Sequence, residues 1–170
     1  ELAQMGFNRV SYGIQDFDPQ VLKNVGRDPS ILPVKELLTL SRELNFTGIN
    51  LDLIYGLPSQ TEAAFYKSVE LAAEAHPDRI ALFSYAHVPW VKKAQKALER
   101  FPLPTPHEKL GFFLEARDMF KKAGFVDVGM DHFCDPKDSL SIALSEGLLH
   151  RNFQGYSTQP DCDLIALGVS

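Results

Sequence analysis

Apolar and polar positions along the chain switch between a period of two and a period of about 3.6, the signatures of strand and helix. Asn8 to Tyr12 (NRVSY) is a short β-rich run, and Gly6 before it reads as the stop of a helix entering from upstream. Asp18 and Pro19 suit the cap and first turn of a short helix over Gln20 to Val25. Val34, Leu37, Leu38, Ser41 and Leu44 share one face of a helix that Ser30 caps and that runs to about Leu44, with Pro33 tolerated in its first turn. Gly48 to Ile54 (GINLDLI) is a strand closed by Gly56 and Pro58. Thr61 or Ser59 caps a helix over Glu62 to Ala75, which Pro77 stops. Arg79 to Tyr85 (RIALFSY) is a further strand, and Pro89 and Trp90 lead into a lysine-rich helix ending near Arg100. Thr105-Pro106-His107-Glu108 has the form of a capping box. The helix it opens carries Phe113, Ala116, Phe120 and Ala123 on one stripe and stops at Gly124. Phe125 to Met130 reads as a strand, Asp138 to Glu146 as a short helix, and Leu164 to Val169 as a last strand-like run.

Strand and helix alternating at this spacing predict an α/β fold of four or five parallel βαβ units. An open doubly wound sheet and part of a (β/α) barrel both satisfy the pattern. In either, function belongs to polar residues at the C-terminal ends of the strands. No linker, repeat or low-complexity stretch divides residues 1–170.

Composition narrows the function classes. The chain has 170 residues, 45% of them apolar, enough to fill one core. Seventeen Lys and Arg against 22 Asp and Glu give a charge of −5, which argues against nucleic acid as a partner. No apolar run approaches the roughly 18 residues of a membrane span, and the first residues show no signal-peptide pattern. Cys134 and Cys162 are too few for a disulfide scaffold and too distant for a CxxC motif. They read as idle thiols in a reducing cytoplasm.

Several polar side chains occupy predicted strand ends: Gln15, Asp16, Asp52, Tyr85, His87, Asp131 and His132. Asp52 interrupts an apolar strand, so it requires a hydrogen-bonding partner or a ligand. A carboxylate capping the amides of a neighbouring loop is the equal alternative. His87 and His132 read as satisfied core or loop residues. No HxH or HExxH pair suggests zinc, and Gly13, Gly56, Gly129 and Gly155 stand isolated, so no phosphate loop is formed. The run His150 to Gln159 lacks strand alternation and reads as a surface loop, or as one presenting donors and aromatic faces to a large anion.

A family resemblance runs through these residues. It is carried by Gly13-Ile14-Gln15-Asp16-Phe17, Arg27, Asn50 to Pro58 (NLDLIYGLP), Tyr85-Ala86-His87, Gly129 to Phe133 (GMDHF) and His150 to Tyr156 (HRNFQGY). Order and spacing resemble the oxygen-independent coproporphyrinogen III oxidases, radical S-adenosylmethionine (SAM) enzymes of haem biosynthesis. The resemblance implies a (β/α)6 partial TIM barrel with a 4Fe–4S cluster and SAM at the C-terminal rim. It implies oxidative decarboxylation of two propionates of coproporphyrinogen III to vinyl groups, giving protoporphyrinogen IX, through a 5′-deoxyadenosyl radical. Gln15, Arg27, Asp52 and Ala86 match family positions that contact SAM. Arg151, Gln154 and Tyr156, in the region of about 147–160, are the substrate-side candidates. Ser157 stands where the family commonly has Thr.

The cluster motif CxxxCxxC is missing from this chain, and neither Cys134 nor Cys162 matches a ligand position. The resemblance therefore implies an interior fragment, inactive alone, with the cluster-binding part upstream and a further region downstream. It carries no metal ligand. The parent is expected to be a monomer served by an unidentified electron donor, and the fragment to self-associate through unpaired strand edges. A related haem-binding or haem-trafficking protein of the same subfamily is the alternative, and a generic sugar or phosphate enzyme a third.

Overall fold

The computed structural model describes residues 1–152 and 155–168. In chain order its elements are β1 (Arg9–Gln15), α1 (Pro19–Asn24), α2 (Val34–Glu43), β2 (Gly48–Tyr55), α3 (Glu62–Glu74), β3 (Arg79–Ser84), α4 (Pro106–Lys122), β4 (Val126–Gly129), β5 (His132–Cys134), α5 (Ser139–Ser145), β6 (His150–Asn152) and β7 (Gly155–Ser157). Short 3-10 helices cover Ala3–Met5 and Lys93–Arg100.

The helix starts follow local chemistry. Asp18 accepts hydrogen bonds from the Gln20 and Val21 amides, Thr61 from the Ala64 amide, and Asp138 from the Leu140 amide. Thr105 and Glu108 close the reciprocal capping box with Pro106 just inside it. Each cap satisfies first-turn donors that have no intrahelical acceptor. Helix α2 departs from expectation. It begins at Val34 rather than beyond Ser30, and no side chain caps it. Pro33 disfavours helical geometry at Leu32, so the helix cannot extend back through that residue. Arg42 near its other end grips Asp78 with two bonds of 2.8 and 2.9 Å, and Asp78 accepts from the Ile49 amide.

The main sheet has the order β1-β2-β3-β5-β4. β1, β2 and β3 are parallel, as the alternation predicts. β5 is a correction: Asp131 and His132 do not simply trail a parallel strand. Asp131 lies in the turn, and His132 opens a short strand that lies antiparallel between β3 and β4. The chain reverses tightly at Gly129 and Met130, which both adopt positive φ. A Cβ on Gly129 would sit 2.7 Å from the Tyr156 hydroxyl, so this turn requires glycine twice over.

Strand alternation divides the sheet into two faces. Ile49, Leu51 and Leu53 of β2 and Ile80 and Leu82 of β3 point towards α2, α3 and α4. There they meet Leu38, Phe65, Val69, Phe112, Ala116 and Phe120 in the main core. The α4 stripe centres on Phe112 rather than Phe113, and Ala123 at its end is exposed. The opposite face carries Ser11, Gly13, Asn50, Asp52 and Ala81. It is covered only at one end, where Leu140 of α5 packs with Val128 and Cys134. Asp138, at the start of α5, pairs with Arg79 at 2.9 Å and Arg9 at 3.4 Å, fixing α5 beneath the N-terminal ends of β1 and β3.

The lysine-rich helix ends at Arg100 as expected, in 3-10 form and with no buried residue. Two further expectations are corrected. The His150 to Gln159 run forms the β6–β7 hairpin instead of a loop. Leu164 to Gly168 is not a strand. Leu164, Ile165 and Leu167 are exposed and pair with no strand. Val169 lies outside the described residues.

One buried group ties the C-terminal ends of β1 and β2 to α3. Asp16, 1% exposed, accepts from Gln60 Nε2 at 2.6 Å, Ser68 Oγ at 2.6 Å and the Asp18 amide at 2.8 Å. Gln60 in turn accepts from the Gly56 and Leu57 amides and donates to the Ile54 carbonyl. Truncation would leave buried donors without acceptors, so Asp16→Ala is expected to lower stability by about 3 kcal/mol in urea unfolding. Asp118→Ala, at an exposed surface pair, should change it by less than about 0.5 kcal/mol. A loss below about 1 kcal/mol for Asp16→Ala would contradict the role given to this network.

Candidate functional site

The uncovered face of the sheet and its C-terminal rim bring most of the sequence-selected residues together. The row Gly13, Asp52, Ala81 and His132 runs across four neighbouring strands in register, so all four positions share this face.

At the β1 end, the strand is irregular between Gly13 and Gln15, and Gln15 takes a positive φ of 67°. That kink folds the Gln15 side chain back over Gly13: a Cβ on Gly13 would lie 2.6 Å from Gln15 Nε2. Only 8% of Gln15 is exposed, and its amide group makes no hydrogen bond with a described residue. Arg27 Nη1 donates to the Gly13 carbonyl at 3.2 Å from the loop after α1. Asp52 is held between two side chains. Ser11 Oγ donates to one oxygen at 3.1 Å and Asn50 Nδ2 to the other at 2.6 Å. The need for a partner is thus met from the sheet face, not by loop amides. Gln15, Arg27 and Asp52 surround Gly13 as an amide, a guanidinium and a carboxylate.

Ala86 lies farther along the same rim, beyond β3, and is exposed. Its backbone is fixed from several sides. The Tyr85 amide donates to the Tyr55 carbonyl at 2.8 Å, and Lys109 Nζ donates to the Tyr85 carbonyl at 2.7 Å. Partial burial pulls the Lys109 ammonium below its ordinary pKa. Gln95 brackets the next residues, donating to the Ala86 carbonyl at 3.0 Å and accepting from the Val88 amide at 2.6 Å. His87 lies 3.3 Å from the Tyr85 hydroxyl and 3.5 Å from Glu99, so it is a satisfied loop residue as expected.

At the other end, Asp131 and His132 form a carboxylate–imidazole pair, with Nδ1 and Oδ1 2.6 Å apart. That hydrogen bond holds the Asp131 carboxyl below the usual carboxylate range, against partial burial and with help from the His132 and Arg151 charges. Tyr156 meets the His132 ring edge-on at 5.5 Å, and the Arg151 guanidinium lies 5.8 Å from the Tyr156 ring centre. The hairpin thereby brings Arg151 and Tyr156 to the β4–β5 side of the open face. Gln154, the third substrate-side candidate, lies outside the described residues.

Sequence reasoning missed Lys109, Gln95, Ser11 and Asn50. Asn50 was readable, since it precedes Asp52 by two positions and a strand repeats its face every two residues. Among the described residues, no group of three or more His, Cys, Asp or Glu side chains could hold a metal ion. Burial pushes the Cys134 thiol up to about 12, with the Asp138 charge adding to the rise, so it is a poor thiolate ligand. Cys162 is exposed.

Comparison with known proteins agrees with this geometry. Residues 1–72 match the radical SAM superfamily. The oxygen-independent coproporphyrinogen III oxidase of Escherichia coli is 46% identical over 165 residues, covering 97% of this chain and 36% of that protein. The oxidase of the same name from Synechocystis is 45% identical over 169 residues, covering 99% of this chain and 36% of that protein. The solved structure of coproporphyrinogen III oxidase from Escherichia coli, a radical SAM enzyme, matches with a TM-score of 0.90 at 44% identity, covering 99% of this chain and 39% of that one. The chain thus spans a little over a third of the length of the curated relatives it matches. The parallel units of β1, β2 and β3 with their outer helices match part of that radical SAM enzyme, consistent with the expected partial barrel. Over nearly all of its own length this chain is similar, in fold and in sequence, to part of the oxygen-independent coproporphyrinogen III oxidases.

Proposed function

We propose that this chain supplies the SAM-binding rim and part of the substrate side of an oxygen-independent coproporphyrinogen III oxidase. The whole protein would convert coproporphyrinogen III to protoporphyrinogen IX without oxygen by oxidative decarboxylation of two propionates. The observation that carries the reading is the convergence of Gln15, Arg27 and Asp52 around Gly13 on a chain 46% identical to such an oxidase.

The residues present fit SAM. Because Gly13 has no Cβ, the Gln15 amide packs directly over it, nearly buried and still with donors and an acceptor to offer. Arg27 would take the amino-acid carboxylate through its guanidinium fork. Asp52, already oriented by Ser11 and Asn50, would accept from ribose hydroxyls or the ammonium. Ala86 would let the adenine approach a backbone that Gln95 and Lys109 hold in place. When bound, SAM supplies the radical that removes a hydrogen from the substrate. The described residues offer no comparable fit for a 4Fe–4S cluster, since neither cysteine has a ligand partner. The cluster belongs to other residues of the whole protein.

The reading places the protein in a reducing cytoplasm with a cellular electron donor. It takes the whole protein as a monomer, and the isolated chain as self-associating through the free outer edge of β1.

The whole protein, reconstituted anaerobically with iron and sulfide and given a reductant, is expected to release carbon dioxide and 5′-deoxyadenosine while forming protoporphyrinogen IX. Haem binding or transfer with no decarboxylation would contradict the reading. In the same preparation, Arg27→Ala is expected to weaken SAM binding about tenfold or more in calorimetric titration, from loss of a charge-assisted contact. Unchanged affinity would remove Arg27 from the site.

A further inference from the structure

His132 is placed and held as a ligand-facing group, although its sequence context reads as a satisfied core or loop residue. Its Nδ1 is engaged by the Asp131 carboxylate at 2.6 Å, and since a carboxylate only accepts, Nδ1 carries the hydrogen. Two aromatic rings stand at right angles to the imidazole. Phe83 lies at 6.4 Å and 89°, and Tyr156 at 5.5 Å and 87°. The ring orientation is thus fixed by one strong hydrogen bond and two edge contacts. The side chain keeps 22% of its surface open, and Nε2 bonds to no described residue. A ring needed only to fill space requires none of this.

The surroundings favour an anion. Arg151 lies over the same Tyr156 ring that His132 meets edge-on, and it makes no ion pair with a described residue. Arg151 and the His132 ring edge thus face the open side together, with the Asp131 carboxylate engaged behind the ring. The position suits a large ligand. His132 lies in the same register row as Asp52, two strands away, which is about 10 Å across the open face.

Resting on the oxidase reading above, we infer that His132, oriented by Asp131, binds a carboxylate of the tetrapyrrole substrate through Nε2, with Arg151 completing the carboxylate site. Coproporphyrinogen III carries four propionates, so one can be anchored at His132 while another lies near the SAM rim.

The test uses the whole, cluster-loaded protein and the fluorescent oxidised analogue coproporphyrin III as the binding probe. His132→Gln is expected to weaken coproporphyrin III binding about tenfold and to raise KM with little change in kcat. SAM affinity and melting temperature should stay at the unaltered values. His132→Arg, which restores a cation at this position, should recover part of the lost affinity. Arg151→Gln, at an exposed side chain that does not threaten folding, should weaken the probe in the same direction. Normal conversion of coproporphyrinogen by the unaltered protein, with probe affinity unchanged in both Gln variants, overturns this inference alone. Absence of conversion and of probe binding in the unaltered protein overturns the oxidase reading, and this inference with it.

Discussion

The buried Asp16 carboxylate is the constraint on which the rim depends. It gathers a side-chain amide from the loop after β2, a hydroxyl from α3 and a backbone amide from its own turn. A charge in that position is costly unless each lone pair is used, so the three segments cannot drift apart independently. Gln15 is the residue before Asp16, and its positive φ is sustained because the following residue is anchored so firmly. The same network reaches Gly56 and Leu57 through Gln60, which fixes the loop that Lys109 crosses on its way to the Tyr85 carbonyl. The geometry of the open face is inherited from this weld.

The two faces of the sheet divide the work. Leu51, Leu53, Ile80 and Leu82 bury their side chains under the helices and supply the stability of burial. Their alternate neighbours Asn50 and Asp52 face the open side, where the polar groups satisfy one another within the sheet. Such a face is pre-organised: Asp52 is oriented before any ligand arrives, so binding does not have to order it. α5, held by Asp138 to Arg79 and Arg9, closes the far end and leaves the rim accessible.

Features with local causes were legible in the sequence. Asp18, Thr61 and the Thr105–Glu108 box mark helix starts because a cap involves only the next three residues. The three parallel strands follow from their apolar runs, and Gln15, Asp52, Ala86, Arg151 and Tyr156 do lie on or beside one sheet face. What escaped the reading depends on distant partners. Asp16 draws on Gln60 and Ser68, 44 and 52 positions away, and Asp52 on Ser11, 41 positions away. β5 is three residues long and exists only because β3 and β4 leave a slot for it. The Leu164 to Gly168 run has strand composition but pairs with no strand, and composition alone makes no ladder. The setting of His132 is hidden from the sequence because its aromatic neighbours come from β3 and from the hairpin.

Gln15, packed over Gly13, and Arg27 beside it are the groups on which SAM binding at this rim rests. Gly13→Ala tests this directly in the whole, cluster-loaded protein. The added Cβ would lie 2.6 Å from Gln15 Nε2 and 3.6 Å from Arg27 Nη1, so a flexible side-chain tip must move while the backbone stays. Calorimetric titration is expected to show SAM binding weakened about tenfold, with the melting temperature within about 3 °C of the unaltered protein. Unchanged SAM affinity in a fully folded Gly13→Ala protein would contradict the account.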